Sequence, residues 1–283
     1  MSIKIKKGEL ELNYKRFTFP GGEVGIKLDV TNYKFFYDKN KVTLIARITK
    51  SEDFFALAMI KDALEQMGEK NINLFIPYIP YARQDRICDN GESFSLKVFA
   101  NLLNSLNFPL VTIVDPHSEV CPALINNVKV ITQYDVVAAW DEFIQRIKFG
   151  KIVSPDSGAN KKSAKIAKYL DHEEFIRADK LRDLTNGNIK ETIVYCDDFK
   201  GKDVVIIDDL IDAGGTFILL AKVLKDKNIG KIILFCTHGI FSKGTKPLFE
   251  GGINEIYTTN SFYDVFPANV GDIKVFDIET LIK

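Results

Sequence analysis

The residues with the clearest chemistry form one string, Val204-Val205-Ile206-Ile207-Asp208-Asp209-Leu210-Ile211-Asp212-Ala213-Gly214-Gly215-Thr216. An apolar run, read as a strand over Val204 to Ile207, ends in adjacent carboxylates. A turn with paired glycines and a threonine follows, and helical spacing runs from Gly215 to Lys227. Glycines let a backbone approach a ligand closely, and N–H groups at a helix start face an anion. Asp208 and Asp209 suit the hydroxyls of a sugar. The plain alternative is a strand–helix turn with solvated acids. Glycine-rich turns are common, but the whole string in this context is not.

Other segments carry charge just after apolar runs. Tyr81-Ala82-Arg83-Gln84-Asp85-Arg86 follows Asn73 to Pro77. A guanidinium fork matches phosphate oxygens, although a surface loop of ion pairs has the same composition. His117 follows Leu110 to Val114, Asp156 follows Lys151 to Ser154, and Lys180-Leu181-Arg182 lies in a polar stretch. A lone histidine is usually structural, and Lys-x-Arg by itself is a trivial pattern. Phe19 and Glu23 flank Pro20-Gly21-Gly22, which also reads as an ordinary hairpin turn.

The elements that must position these groups alternate. Apolar runs at Val42 to Ile48, Asn73 to Pro77 and Leu110 to Val114 are separated by helical spacing at Asp53 to Met67 and Phe94 to Leu106. The rhythm returns with strands at Lys151 to Ser154, Val204 to Ile207, Lys231 to Phe235 and Glu255 to Tyr257. Helices are expected at Ala159 to Leu170 and from Gly215. This predicts an α/β chain of mostly parallel sheets flanked by helices. Its 283 residues allow two such domains at roughly 100–200 residues each. The boundary is placed within Asp135 to Lys148, giving domains 1–138 and 139–283. Ligands in such sheets bind beyond the carboxyl ends of the strands, where the charged segments fall.

Composition excludes several classes. Hydrophobic residues are 46% and charged residues 27%, close to the globular average. Lys plus Arg and Asp plus Glu are both 38, so the net charge is zero and nucleic-acid or anionic-membrane binding is not expected. No apolar run approaches the roughly 18–20 residues of a membrane span, and the first residues lack a signal-peptide core. Cys88, Cys121, Cys196 and Cys236 form no CxxC pair, so reduced thiols and a cytoplasmic setting are expected.

The 204–216 string resembles the ribose-phosphate-binding motif of type I phosphoribosyltransferase-like proteins. Three further segments resemble the ribose-phosphate pyrophosphokinases in particular. Pro77 to Arg86 is similar to their ATP-binding segment, Val114 to Glu119 to their strand-end histidine motif, and Val153 to Ala159 to their SPDxGG turn. Arg177 to Arg182 resembles the segment that opens their catalytic flexible loop. Phe17 to Val24 is weakly similar to the loop that completes a neighbouring subunit's adenine site.

The resemblance implies two tandem phosphoribosyltransferase-like domains and a Mg2+-dependent transfer of the β,γ-diphosphoryl group of ATP to ribose 5-phosphate. It assigns Arg83, Gln84, Asp85, Arg86, His117, Phe19 and Glu23 to ATP. Asp156, Asp208, Asp209, Asp212, Ala213, Gly214, Gly215 and Thr216 fall to the ribose phosphate. His117 and Asp156 fall to the metal, and Lys180, Arg182 and His117 to catalysis. A homo-oligomer, at least a dimer, is implied.

The chain departs from the family pattern. Ala213 stands where a threonine hydroxyl is usual, Lys162 where an arginine is usual, and Gly21 where an acid or amide is usual. Ile87 to Glu92 is acidic where the family continues basic, which puts phosphate or ADP regulation there in doubt. The sequence also stops short of the family's final helix, so the usual hexamer is not assumed. The lost hydroxyl keeps an alternative acceptor open, ADP-ribose, whose terminal ribose also carries an anomeric hydroxyl. Divergent phage-type relatives use it to rebuild NAD. A phosphoribosyltransferase that consumes phosphoribosyl pyrophosphate and a non-catalytic regulator are the further alternatives.

Overall fold

Strands such as Val42-Thr43-Leu44-Ile45-Ala46 read as nearly unbroken apolar runs because a parallel sheet is covered on both faces. The computed structural model describes residues 3–31, 33–172, 175–182, 189–266 and 271–282. The chain divides into two compact units, Met1–Ile131 and Thr132–Lys283.

The first unit contains, in order, β1 (Ile3–Lys7), β2 (Leu10–Leu12), β3 (Tyr14–Thr18), β4 (Val24–Leu28), α1 (Tyr33–Tyr37), β5 (Val42–Ala46), α2 (Ser51–Gln66), β6 (Ile72–Ile76), α3 (Ser95–Ser105), β7 (Val111–Val114), α4 (Val120–Leu124) and β8 (Val128–Ile131). Its sheet runs β2-β1-β5-β6-β7-β8. Strands β5 to β8 are parallel, and β1 is antiparallel to its neighbours. Strands β3 and β4 form a separate hairpin. Arg16 fastens it to α2, with Nη1 2.6 Å from Asp53 Oδ1 and Nη2 3.2 Å from Glu52 Oε2. Asp53 also accepts the Lys50 N–H and closes the helix start.

The second unit contains α5 (Gln133–Ala138), α6 (Asp141–Ile147), β9 (Lys151–Ser154), α7 (Asn160–Tyr169), β10 (Ile176–Arg182), β11 (Ile189–Val194), β12 (Val204–Ile211), α8 (Gly215–Lys225), β13 (Ile232–Gly239), α9 (Lys246–Gly251), β14 (Glu255–Thr259) and β15 (Asp272–Phe276), then a 3-10 turn at Ile278–Leu281. The sheet order is β11-β10-β9-β12-β13-β14-β15. Every pair is parallel except β10 with β11.

Helices α5 and α6 share a unit with this sheet. Trp140 and Phe143 pack on Phe235 and Tyr257, with ring centroids between 4.8 and 6.5 Å apart. The two units divide between Ile131 and Thr132, just before α5.

Two elements beside the acids differ from the sequence reading. Strand β12 continues through Asp208 and Asp209 to Ile211, because β13 pairs with it as far as Gly239. Residues 176–182, expected as a loop, form a strand that pairs with the β-branched Ile189–Val194 segment. All four cysteines are free thiols, and burial pushes Cys121 up to about 12. Among the described residues no helix is long and apolar enough to cross a membrane.

Candidate active site

In the first unit the segment after β6 is anchored by apolar residues and presents polar ones. Ile79 and Ala82 are buried, while Arg83, Gln84 and Arg86 are exposed and Asp85 is half-buried. Tyr81 takes a left-handed backbone with φ 62°, and its carbonyl accepts the Gln84 N–H at 2.9 Å. Residues Arg83, Gln84 and Arg86 therefore sit on a braced turn at the carboxyl end of β6. One strand over, Asp115 is buried with φ 39°, and its N–H donates to Ile131 O at 2.7 Å. That turn leaves His117 exposed.

Phe19, 51% exposed, sits at the tip of the β3–β4 hairpin with its ring against Phe17. The Glu23 carboxylate lies over Gly21, where a Cβ would meet Oε2 at 2.6 Å. An acid or amide at position 21 would displace Glu23, so the glycine and the glutamate fit one another.

The second unit gathers the acids. Asp156 follows β9, and its Oδ1 accepts the Ala159 N–H at 3.1 Å, next to the start of α7. Its Oδ2 receives Lys180 Nζ at 2.7 Å. Strand β10 carries Lys180 there, and the lysine side chain is only 9% exposed. Lys162 Nζ, on α7, lies 3.6 Å from Asp209 Oδ2. Lys162 thus reaches the acids from the position where arginine was expected.

Asp208 completes the group. Burial, then the charges of Asp209 and Asp156, hold its carboxyl well above the usual carboxylate range. The Asp209 N–H and Lys180 act in the opposite direction. Such a carboxyl is relieved by any cation or hydroxyl donor that arrives. The donors are hard oxygens, which suits Mg2+ with part of its water shell retained. Among the described residues no three His, Cys, Asp or Glu side chains form a cage of their own.

The turn after β12 has the backbone geometry to receive an anion. Gly214 has φ 80°, and a Cβ there would meet Leu248 Cδ2 at 2.7 Å. Gly215 opens α8, and a Cβ there would meet nothing within 4 Å. The first glycine is needed for the fold, and the second leaves room beside the helix N–H groups. Asp212, Ala213 and Thr216 are half-buried around it.

The structure therefore brings Asp156, Lys180, Asp208 and Asp209 together and sets the glycine turn at the same strand's end. Arg83, Gln84, Asp85, Arg86, His117, Phe19 and Glu23 belong to the other unit. The Arg182 side chain lies outside the described residues.

Sequence reasoning missed a buried polar layer beside Asp208. Gln133, Thr237, His238, Thr259 and Ser261 are each at most 3% exposed. The signal was available in Thr237-His238-Gly239 and Thr258-Thr259-Asn260-Ser261, polar runs that end two otherwise apolar strands.

An acidic strand end that runs into a glycine turn at a helix start, on a parallel sheet, defines a phosphoribosyltransferase-like enzyme. Residues 11–106 match the N-terminal domain of ribose phosphate pyrophosphokinase, and residues 152–283 match the phosphoribosyl synthetase-associated domain. The ribose-phosphate pyrophosphokinase of Mycoplasmopsis pulmonis is 30% identical over 259 residues, covering 84% of this chain and 78% of that protein. That of Pyrococcus abyssi is 28% identical over 274 residues, covering 94% and 88%. The crystal structure of phosphoribosylpyrophosphate synthetase from Mycobacterium smegmatis superposes with a TM-score of 0.79 at 22% identity, covering 95% of this chain and 87% of that one, and so shares the fold. The chain belongs to the ribose-phosphate pyrophosphokinase family and is an enzyme of the transferase class.

Proposed function

We propose that this enzyme transfers the β,γ-diphosphoryl group of ATP to the anomeric hydroxyl of ribose 5-phosphate, releasing AMP. The observation that carries the reading is the junction of Asp156, Lys180 and Asp208 beside the open Gly215 turn. The anomeric oxygen attacks the β-phosphorus, the bond from that phosphorus to the α–β bridging oxygen breaks, AMP leaves with the bridging oxygen, and the hydroxyl proton passes to solvent. Both reactants are highly anionic, so the protein's task is placement and charge neutralisation.

The Asp212 to Thr216 turn receives the 5-phosphate, and Asp208 and Asp209 take the ribose hydroxyls. Arg83, Gln84, Asp85 and Arg86 hold ATP on the first unit, with Phe19 and Glu23 serving the adenine of a neighbouring copy. Lys180 neutralises the transferring group, and Arg182 joins it. His117 and Asp156 each offer Mg2+ a donor. When bound, the ion offsets phosphate charge. Small-molecule partners, a homo-oligomer and a cytoplasmic setting complete the proposal.

Ala213 favours a second reading. The missing hydroxyl weakens a terminal phosphate by roughly 1.5–3 kcal/mol and leaves space for a diester, as in ADP-ribose. The test is AMP release from ATP and Mg2+ with each sugar offered separately. AMP with ribose 5-phosphate supports the first reading and AMP with ADP-ribose alone the second. Release with neither sugar overturns both.

A further inference from the structure

The buried polar layer beside Asp208 is continuous. Gln133 Nε2 donates to the backbone oxygen of Asp208 at 2.7 Å and lies 3.4 Å from Thr237 Oγ1. The acceptor is a carbonyl, so the amide nitrogen, and not its oxygen, must face it. Asp208 is on β12 and Thr237 on β13, so one amide straddles two strands at the level of the carboxylates.

Beyond Thr237 the layer closes on itself. The Thr237 carbonyl accepts Thr259 Oγ1 at 2.7 Å and Ser261 Oγ at 3.1 Å. Thr259 Oγ1 in turn accepts the Ser261 N–H at 3.1 Å. Ser261 spends its one proton on Thr237, so His238 Nδ1, 2.9 Å away, is the donor to Ser261 Oγ. The Thr259 and Ser261 hydroxyls each have a defined direction, which stiffens the layer.

Helix α5 supplies the other end. Thr132 caps it: Thr132 Oγ1 accepts the Asp135 N–H at 3.3 Å, and Asp135 Oδ2 accepts the Thr132 N–H at 2.7 Å. Gln133 is the first helical residue, so its backbone is fixed by that reciprocal cap.

We propose that Gln133 is a positioning residue for the sugar carboxylates. It holds the β12 main chain at Asp208 against the Thr237 layer and thereby aims the Asp208 and Asp209 side chains. This deepens the proposed function and rests on its assignment of these acids to ribose. Carboxylate placement matters at the level of roughly 0.5 Å, and a main-chain shift moves both groups together.

The experiment is a comparison of Gln133→Met with the parent enzyme, titrating ribose 5-phosphate and ATP in turn. Methionine keeps the length and removes both donors. The expected result is a KM for ribose 5-phosphate raised roughly five- to tenfold, with the KM for ATP unchanged. Equal changes in both constants, or a lowered Tm with an unchanged sugar KM, overturn the proposal. If Gln133→Met does not fold, Thr237→Val reads the same split at nearly constant volume: a two- to threefold rise in the sugar KM alone is expected, roughly, for the longer contact, and no rise overturns it. A parent enzyme that is inactive with ribose 5-phosphate instead refutes the underlying assignment of the acids.

Discussion

Lys180 Nζ lies 2.7 Å from Asp156 Oδ2, so the strand β10 lysine is already seated on the carboxylate that follows β9. The pair lies within electrostatic reach of Asp208, which feels both charges. In the proposed function, a cation held this close to the acids, on a strand and not a free loop, is the one that meets the transferring group.

Lys180→Ala therefore tests transition-state stabilisation. Turnover is expected to fall by ~10²–10³-fold or more, the scale for removing one charge-stabilising donor. ATP affinity, measured by equilibrium binding, should barely change. Weakened ATP binding with intact turnover would contradict the role.

The two glycines of the turn should separate fold from function. Gly214→Ala meets Leu248 and a left-handed backbone, and is expected to lose roughly 1–2 kcal/mol of stability. Gly215→Ala meets no protein atom within 4 Å, so its Tm should hold. Its KM for the sugar phosphate should rise about tenfold as the added methyl enters the anion space. A Gly215→Ala enzyme with normal sugar KM would place the phosphate elsewhere.

Ala213→Thr should restore the lost donor. A gain of roughly 1.5 kcal/mol corresponds to a KM for ribose 5-phosphate about tenfold lower. Use of ADP-ribose, measured side by side, should fall or stay absent. An unchanged KM would show that this hydroxyl does not reach the phosphate.

Asp208→Asn is expected to stabilise the ligand-free protein while abolishing sugar use. The folded-state carboxyl is raised by burial and by Asp209 and Asp156, so its ionisation opposes folding. That penalty is absent below the unfolded value of about 3.9, grows as pH rises, and is complete above the raised folded value. Melts in chelator should show the variant ahead by ~2–4 °C per kcal/mol at neutral pH and converging with the parent in acid. Parallel curves would show that Asp208 carries no such penalty.

The opposite sign holds at the other end of the sheet. Arg146 forks onto Glu255 at 2.7 and 2.6 Å and reaches Asp203 at 2.8 Å. The Arg146 hydrogen bonds hold the Glu255 carboxyl below its ordinary value. This stabilisation is present above the unfolded value of about 4.3 and is lost as pH falls through the depressed one. Arg146→Met should cost about 1.5–3 kcal/mol at neutral pH, the scale for hydrogen bonds to a charged group, since Arg146 and Asp203 are only partly buried and Lys231 remains 3.2 Å from Glu255. Denaturant titrations at pH 7 and pH 3 should show that deficit shrinking in acid.

Much of this was legible in the residues. The apolar runs at Val42–Ala46 and Ile232–Phe235 marked their strands, because burial on both faces demands unbroken apolar sequence. Asp208, Asp209 and the glycine turn stood out for a similar reason, since few backbones other than an anion turn need that spelling. The turn of the β3–β4 hairpin was legible at Pro20-Gly21-Gly22, but strand β15 was not foreseen. Asp272 and Lys274 interrupt its apolar pattern, and β-pairing with a partner from another part of the chain leaves little local trace.

Sequence alone determined which chemical groups stand at the strand ends, since residue type and strand–helix rhythm are local properties. Only the tertiary structure decided that Lys180 reaches Asp156, that β12 extends through its acids, and that Gln133 bridges Asp208 to Thr237. Those facts join residues 24, 75 and 104 positions apart in the chain. Contacts of that separation follow from how helices and strands pack, and a local pattern of residues does not encode packing.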